Sequence, residues 1–229
     1  MTEKYRRKIA LALIGLTVAS CSALGGLGEK REPAPRSVQV LSQSYTVTGP
    51  DGFCIDESAT RDNASGAFVM LASCAALSGN KWEPRPGRPA ILTVSVLPSD
   101  TPLGEADLDQ MTAFFSTEDG QQALLRPGSE GPAIVTDLNR EPGLLIVEAQ
   151  EQTPPSLMAP GYWRGVFPEA QGLVTITVGG FERMPLDEKQ GQELLYNFLN
   201  TLRGANGGDI TRNQQAGGVL ASVFNRLRN

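Results

Sequence analysis

No histidine occurs in this 229-residue chain, cysteine is limited to three positions, and aromatic residues make up only 6%. Without imidazole, the Ser-His-Asp and Cys-His nucleophilic systems are excluded, as are zinc sites that depend on histidine. A Gly-x-Ser-x-Gly elbow, a P-loop and a dinucleotide-binding glycine fingerprint are also missing. The sequence thus points away from an enzyme and offers no catalytic residue, metal-ligand set or cofactor. Carboxylate chemistry of the glycoside-cleaving kind stays open, because it needs only two acids converging in a cleft.

Long apolar runs are scarce as well. Lys4, Arg6, Arg7 and Lys8 precede an eleven-residue apolar stretch, Ile9 to Ala19, broken only by Gly15 and Thr17. That length is too short to cross a ~30 Å hydrocarbon core and has the layout of a signal peptide. The twin arginine in Tyr5-Arg6-Arg7-Lys8 lacks the rest of the export motif and reads as plain basic charge. Val18-Ala19-Ser20-Cys21, directly after, resembles the lipobox of bacterial lipoproteins, in which the cysteine is lipidated on sulfur and becomes the new N-terminus. The resemblance implies residues 1–20 as signal peptide, Cys21 as the acylation site and a membrane partner held through acyl chains. Each buried methylene of such a chain contributes about 0.8 kcal/mol. Ser22 resembles outer-membrane sorting in Gram-negative hosts, so the expected location is the cell envelope, facing the periplasm. The alternative is an ordinary secretory signal cut after Ala19 or Ala23.

Loss of residues 1–20 removes Glu3 and four basic residues, leaving 24 acidic against 16 basic side chains and a net charge of −8. A body this acidic disfavours nucleic acid and anionic head groups, so membrane association has to come from the anchor. Residues 21–36, with Gly25, Gly26, Gly28, Pro33 and Pro35, read as a flexible tether. Residues 37–204 then form one domain, and 205–229 a linker with a short amphipathic helix carrying Val219, Leu220, Val223, Phe224 and Leu227. That helix packs on the domain or docks to a partner or membrane surface.

The domain opens with strands at Val38–Leu41 and Tyr45–Thr48 and a turn at Gly49-Pro50-Asp51-Gly52. Apolar runs at Phe53–Asp56 and Ala67–Cys74 flank a polar stretch containing Asn63-Ala64-Ser65-Gly66. If that stretch is a hairpin tip, Cys54 and Cys74 fall nearly opposite each other, near enough to bond. An exported protein meets oxidising conditions, so a Cys54–Cys74 disulfide is expected, contributing roughly 3 kcal/mol. A redox or metal role is disfavoured, since the spacing is not Cys-x-x-Cys.

Lys81 to Pro89 carries three prolines, three cations and Trp82, making Trp82, Arg85 and Arg88 a candidate contact surface; the alternative has Trp82 capping a core edge. A strand follows at Ile91–Leu97 and a helix at Glu105–Phe115, where Leu108, Met111 and Phe115 share a face, with Gly120 as a break. Asp107 and Asp109 read as its solvated side. Four strands in series, Ala133–Leu138, Leu144–Gln150, Tyr162–Phe167 and Leu173–Val178, imply an antiparallel meander. The connection from Thr153 to Gly161 leads Met158 into Tyr162 and Trp163. Its apolar side chains either fold back or meet a partner, and these three residues form a second candidate contact. A capping box at Asp187–Gln190 opens a last long helix, striped by Leu194, Leu195, Phe198, Leu199 and Leu202 and ended by Gly204.

Together these elements predict an α+β domain: an antiparallel sheet of about six to eight strands with two main helices, plus the short C-terminal helix. Tyr45-x-Val47-x-x-Pro50-x-Gly52-Phe53 resembles the start of the PsbP-like fold, a likeness that would span about Ser44 to Arg203. It implies an accessory role, assisting larger complexes. The favoured expectation is a non-catalytic, lipid-anchored envelope protein that binds another envelope protein. One alternative is a binding protein for a small hydrophobic or lipid ligand held between sheet and helices, and a second is a carboxylate-based hydrolase. A closed apolar core would speak against the ligand binder.

Overall fold

The structure is a computed structural model, and the description concerns residues 32–208. Cys21, most of the tether, and Val219, Phe224 and Leu227 lie outside the described residues.

Among the described residues, nine strands and four helices follow one another: β1 Ser37–Val40, β2 Tyr45–Thr48, β3 Phe53–Asn63, β4 Gly66–Ser73, α1 Cys74–Ser78, β5 Ala90–Pro98, α2 Glu105–Phe115, α3 Glu118–Ala123, β6 Glu130–Glu141, β7 Leu144–Thr153, β8 Met158–Glu169, β9 Gly172–Phe181 and α4 Glu188–Ala205. β1 and β2 pair as a small sheet of their own. The other seven form one antiparallel sheet in the order β3-β4-β5-β9-β8-β7-β6. The α+β class, the antiparallel sheet and the meander over β6–β9 agree with the sequence patterns.

Alternation along the strands sorts side chains onto two faces. Leu92, Val94 and Val96 of β5 and Val174, Ile176 and Val178 of β9 point to one side, where Leu195, Phe198, Leu199 and Leu202 of α4 meet them. Each fully buried Leu or Phe here contributes roughly 1.5–3 kcal/mol. α4 begins as its sequence predicts: the Gln190 N–H donates to Asp187 Oδ1 at 2.8 Å and the Asp187 N–H to Gln190 Oε1 at 3.2 Å. It lies close on the sheet because Gly191 faces the Trp163 ring; a Cβ there would sit 2.2 Å from Trp163 Cδ2. It runs one residue past Gly204, and Asn206 then ties it to β2, accepting from the Thr46 N–H at 2.8 Å and donating to the Thr46 carbonyl at 2.9 Å. Among the described residues, no helix is long and apolar enough to cross a membrane.

The opposite face has a smaller core, where Leu108 of α2 and Leu124, after α3, cover Leu145, Val147 and Ala149 of β7 and Tyr162 and Val166 of β8. α2 spans the residues its spacing predicts, and Asp107 serves its N-terminus by accepting the Gly104 N–H at 2.8 Å. Gly120 does not break the chain there. It is buried inside α3, whose first turn is capped by the Thr117 hydroxyl.

Most strands of the larger sheet are longer than their apolar windows, β3 most of all. β3 continues through the polar residues 57–63: Arg61, Asp62 and Asn63 pair with Phe68, Ala67 and Gly66, and between Asp56 and Arg61 an irregularity shifts the register where the Asp56 carboxylate accepts the Ser58 and Ala59 N–H groups. Cys54 consequently pairs with Ala72, and Cys74 sits just beyond β4 as the first residue of α1. The Cys54–Cys74 disulfide nevertheless forms, across a Cα separation of 4.8 Å.

Candidate binding cleft

α2 and α3 are short and cover only β6, β7 and β8. Over β4, β5 and β9 the same face of the sheet stays open. Its floor is the outward half of the alternation, Phe68 and Met70 on β4, Ile91, Thr93 and Ser95 on β5, Thr175 and Thr177 on β9. The wall is built by Leu125, Arg126 and Pro127 after α3 and by Pro155 and Met158 around the start of β8. The resulting cleft measures ≈ 520 Å³, within the range of roughly 300–1,000 Å³ typical of small-molecule sites. Its lining is mainly apolar, with threonine and serine hydroxyls along the floor.

Arg126 stands in this wall with only 9% of its surface exposed. Glu151, buried on β7, holds it from two sides: Oε1 accepts the Arg126 backbone N–H at 2.6 Å, and Oε2 accepts Nε at 2.8 Å and lies 2.6 Å from Nη2. Nη2 also donates to the Ala159 carbonyl at 2.8 Å. Nη1, by contrast, is buried without a hydrogen-bond partner. It fits where β9 carries Gly179, since a Cβ at that position would come within 2.8 Å of Nη1 and 3.1 Å of the Met158 methyl. Leaving a guanidinium N–H unpaired in a buried place is costly, so this atom marks where an acceptor is wanted.

Arg164 is the second cation of the cleft. On β8 the positions Tyr162, Arg164 and Val166 share one face, so the strand's alternation aims Arg164 inward. Its Nε donates to Thr177 Oγ1 at 3.2 Å. Among the described residues no carboxylate lies within 4.0 Å of it. Burial disfavours its charge, and the neighbouring Tyr162 ring and Glu151 only partly offset this. Both guanidinium groups rest against Tyr162, with centroid distances of 4.8 Å for Arg126 and 5.4 Å for Arg164. The Tyr162 hydroxyl, donating to the Leu124 carbonyl at 2.6 Å, fixes that ring. With Glu151 cancelling one cation, the site keeps one uncompensated positive charge.

No known protein family, curated protein or solved structure matches this chain. The cleft's chemistry has to be argued from its own residues. No Asp or Glu lines it, and among the described residues no group of three or more Cys, Asp or Glu is placed to hold a metal ion.

The residues singled out from the sequence are scattered. Trp82 is 83% exposed rather than capping a core edge, with Lys81 Nζ 5.0 Å from its ring and Arg85 and Arg88 exposed nearby in the chain. Its loop is pinned by the Ala75 N–H donating to the Pro84 carbonyl at 3.2 Å. Tyr162 and Trp163 do not serve as surface contacts. Both are buried, on opposite faces, because they are neighbours in a strand. The connection between β7 and β8 is only residues 154–157, and its apolar side chains divide: Leu157 points outward while Pro155 and Met158 line the cleft. Arg126, Glu151 and Arg164 went unnoticed in the sequence. Arg164 carries a readable signal, a cation occupying an inward position of an alternating strand.

Proposed function

We propose that the exported domain is a non-catalytic binding protein for a small apolar molecule, tethered to the envelope membrane by acylated Cys21. One observation carries the binding reading: half of one sheet face lies open as a walled cleft with a mainly apolar lining, although a helix pair covers the other half. The lipobox-like Val18-Ala19-Ser20-Cys21 supports the tether. Two experiments test these parts separately. Titrating the full-length chain with dodecanol, a neutral apolar probe, should give saturable binding that Ser95→Trp, filling the floor, abolishes. Binding that survives this substitution would place the probe elsewhere. Replacing Cys21 with Ala should move the protein from the membrane to the soluble fraction, and retention at the membrane would refute the anchor.

A second reading is favoured by Trp82. A loop tied to α1 by a backbone hydrogen bond and presenting an exposed tryptophan beside cations suits contact with another envelope protein. The PsbP-like resemblance at Tyr45 to Phe53 supports the same accessory role. Crosslinking in intact membranes should then capture a partner that is lost in Trp82→Ala.

A further inference from the structure

The geometry points to an anionic amphiphile as the ligand of the cleft, specifically a long-chain carboxylate whose head group is received by Arg164 and Arg126 Nη1. This rests on the cleft being a binding site and names the chemistry of what it holds. Two independent features indicate an anion. Arg164 is a part-buried cation that has no carboxylate within ion-pair distance among the described residues. Arg126, nine-tenths buried, keeps Nη1 unpartnered at the cleft while every other polar contact of its side chain is spent on Glu151 and the 159–160 carbonyls. Both guanidinium groups are braced on one tyrosine ring, so they are presented together.

Charge selects among anions. Glu151 neutralises one arginine, leaving a single positive charge, which a carboxylate matches; a phosphate monoester, near −1.5 to −2 at neutral pH, exceeds it. The rest of the cleft is mainly apolar, with Phe68, Met70 and Ile91 beside the short hydroxyl side chains Thr93 and Ser95, and is suited to an alkyl chain running away from the arginines. The thioether of Met158, which flanks Nη1, is the flexible group that moves aside as the head group enters.

The test compares dodecanoate with dodecanol on the full-length chain by calorimetric titration at a pH where the acid is ionised. A charge-assisted hydrogen bond in a desolvated site should make dodecanoate bind about tenfold tighter or more. In Arg164→Gln that preference, read as the ratio of the two affinities within the same variant, should vanish, and Arg164→Lys should restore part of it. Equal affinities in the natural protein would overturn the carboxylate assignment and leave the apolar cleft standing. Binding of neither probe would overturn both. Should Arg164→Gln fail to fold, the comparison of the two probes on the natural protein decides alone.

Discussion

Glu151→Leu is the substitution whose effect the structure fixes most closely. Glu151 is buried, and its two oxygens accept the Arg126 backbone N–H and the Arg126 guanidinium. Removing the carboxylate leaves a buried cation without its counter-charge, with only the 159–160 carbonyls as acceptors, and a buried amide without its own. Breaking a buried pair from one side costs about 3–5 kcal/mol. With a urea slope of about 2 kcal/mol/M, the unfolding midpoint should fall by roughly 1.5–2.5 M. The double variant Arg126→Met/Glu151→Leu replaces the pair with apolar groups and should recover at least ~2 kcal/mol relative to the sum of the single losses. Tryptophan fluorescence follows the transition well, because Trp163 is buried and Trp82 is already exposed, so the change reports the core. A midpoint shift below about 0.5 M for Glu151→Leu, with additive single and double effects, would mean that water or a mobile side chain satisfies Arg126 and that its burial is not what the structure gives.

Three further perturbations probe the scaffold. Replacing Cys54 and Cys74 together with Ala opens a loop with a sequence separation of 20 and should cost about 3 kcal/mol, read as the urea midpoint against the oxidised parent. Gly191→Ala should destabilise by roughly 1–3 kcal/mol, although alanine favours helix by up to about 1 kcal/mol, because the new methyl meets the Trp163 ring; a stabilised variant would show that α4 does not lie so close. Desolvation raises the Glu169 carboxyl above its ordinary range despite the attraction of Arg203, so the folded state holds this proton more tightly than the unfolded one. Stability from this group is therefore full below the ordinary glutamate range and declines as pH rises through the raised value, and Glu169→Gln should flatten that decline in urea midpoints taken across the acid range.

Elements resting on strong periodicity were legible in the sequence. α2 and the capped start of α4 follow from the spacing of Leu108, Met111 and Phe115 and from the Asp187/Gln190 box, and the meander follows from turn signals between alternating runs. What escaped depends on contacts distant in sequence. The extension of β3 resumes pairing with β4 only at Arg61 to Asn63, after an irregular stretch in which the Asp56 carboxylate accepts the Ser58 and Ala59 N–H groups. Tyr162 and Trp163 look like a surface pair in one dimension, yet strand alternation sends one to each core. The cleft itself was hidden, because it arises where α2 and α3 end, a matter of coverage and not of motif. Trp82 misled in the other direction: average burial of tryptophan argued for a core edge, while its three-proline loop holds it in solvent.

Locating two arginines inside an acidic protein also separates two ranges of electrostatics. With a net charge of −5 over the full chain, the surface field repels anions at a distance. Salt screens that field over about 8 Å at physiological ionic strength, whereas a head group in contact with Arg164 sits inside a desolvated wall where screening is weak. Raising salt should therefore speed the capture of dodecanoate without erasing its preference over dodecanol. A preference that collapsed with salt would come from diffuse surface charge, which on this protein has the wrong sign to produce it. Retention of the preference thus points to the paired guanidinium groups on Tyr162, the one place among the described residues where positive charge exceeds its buried counter-charge within a walled apolar cleft.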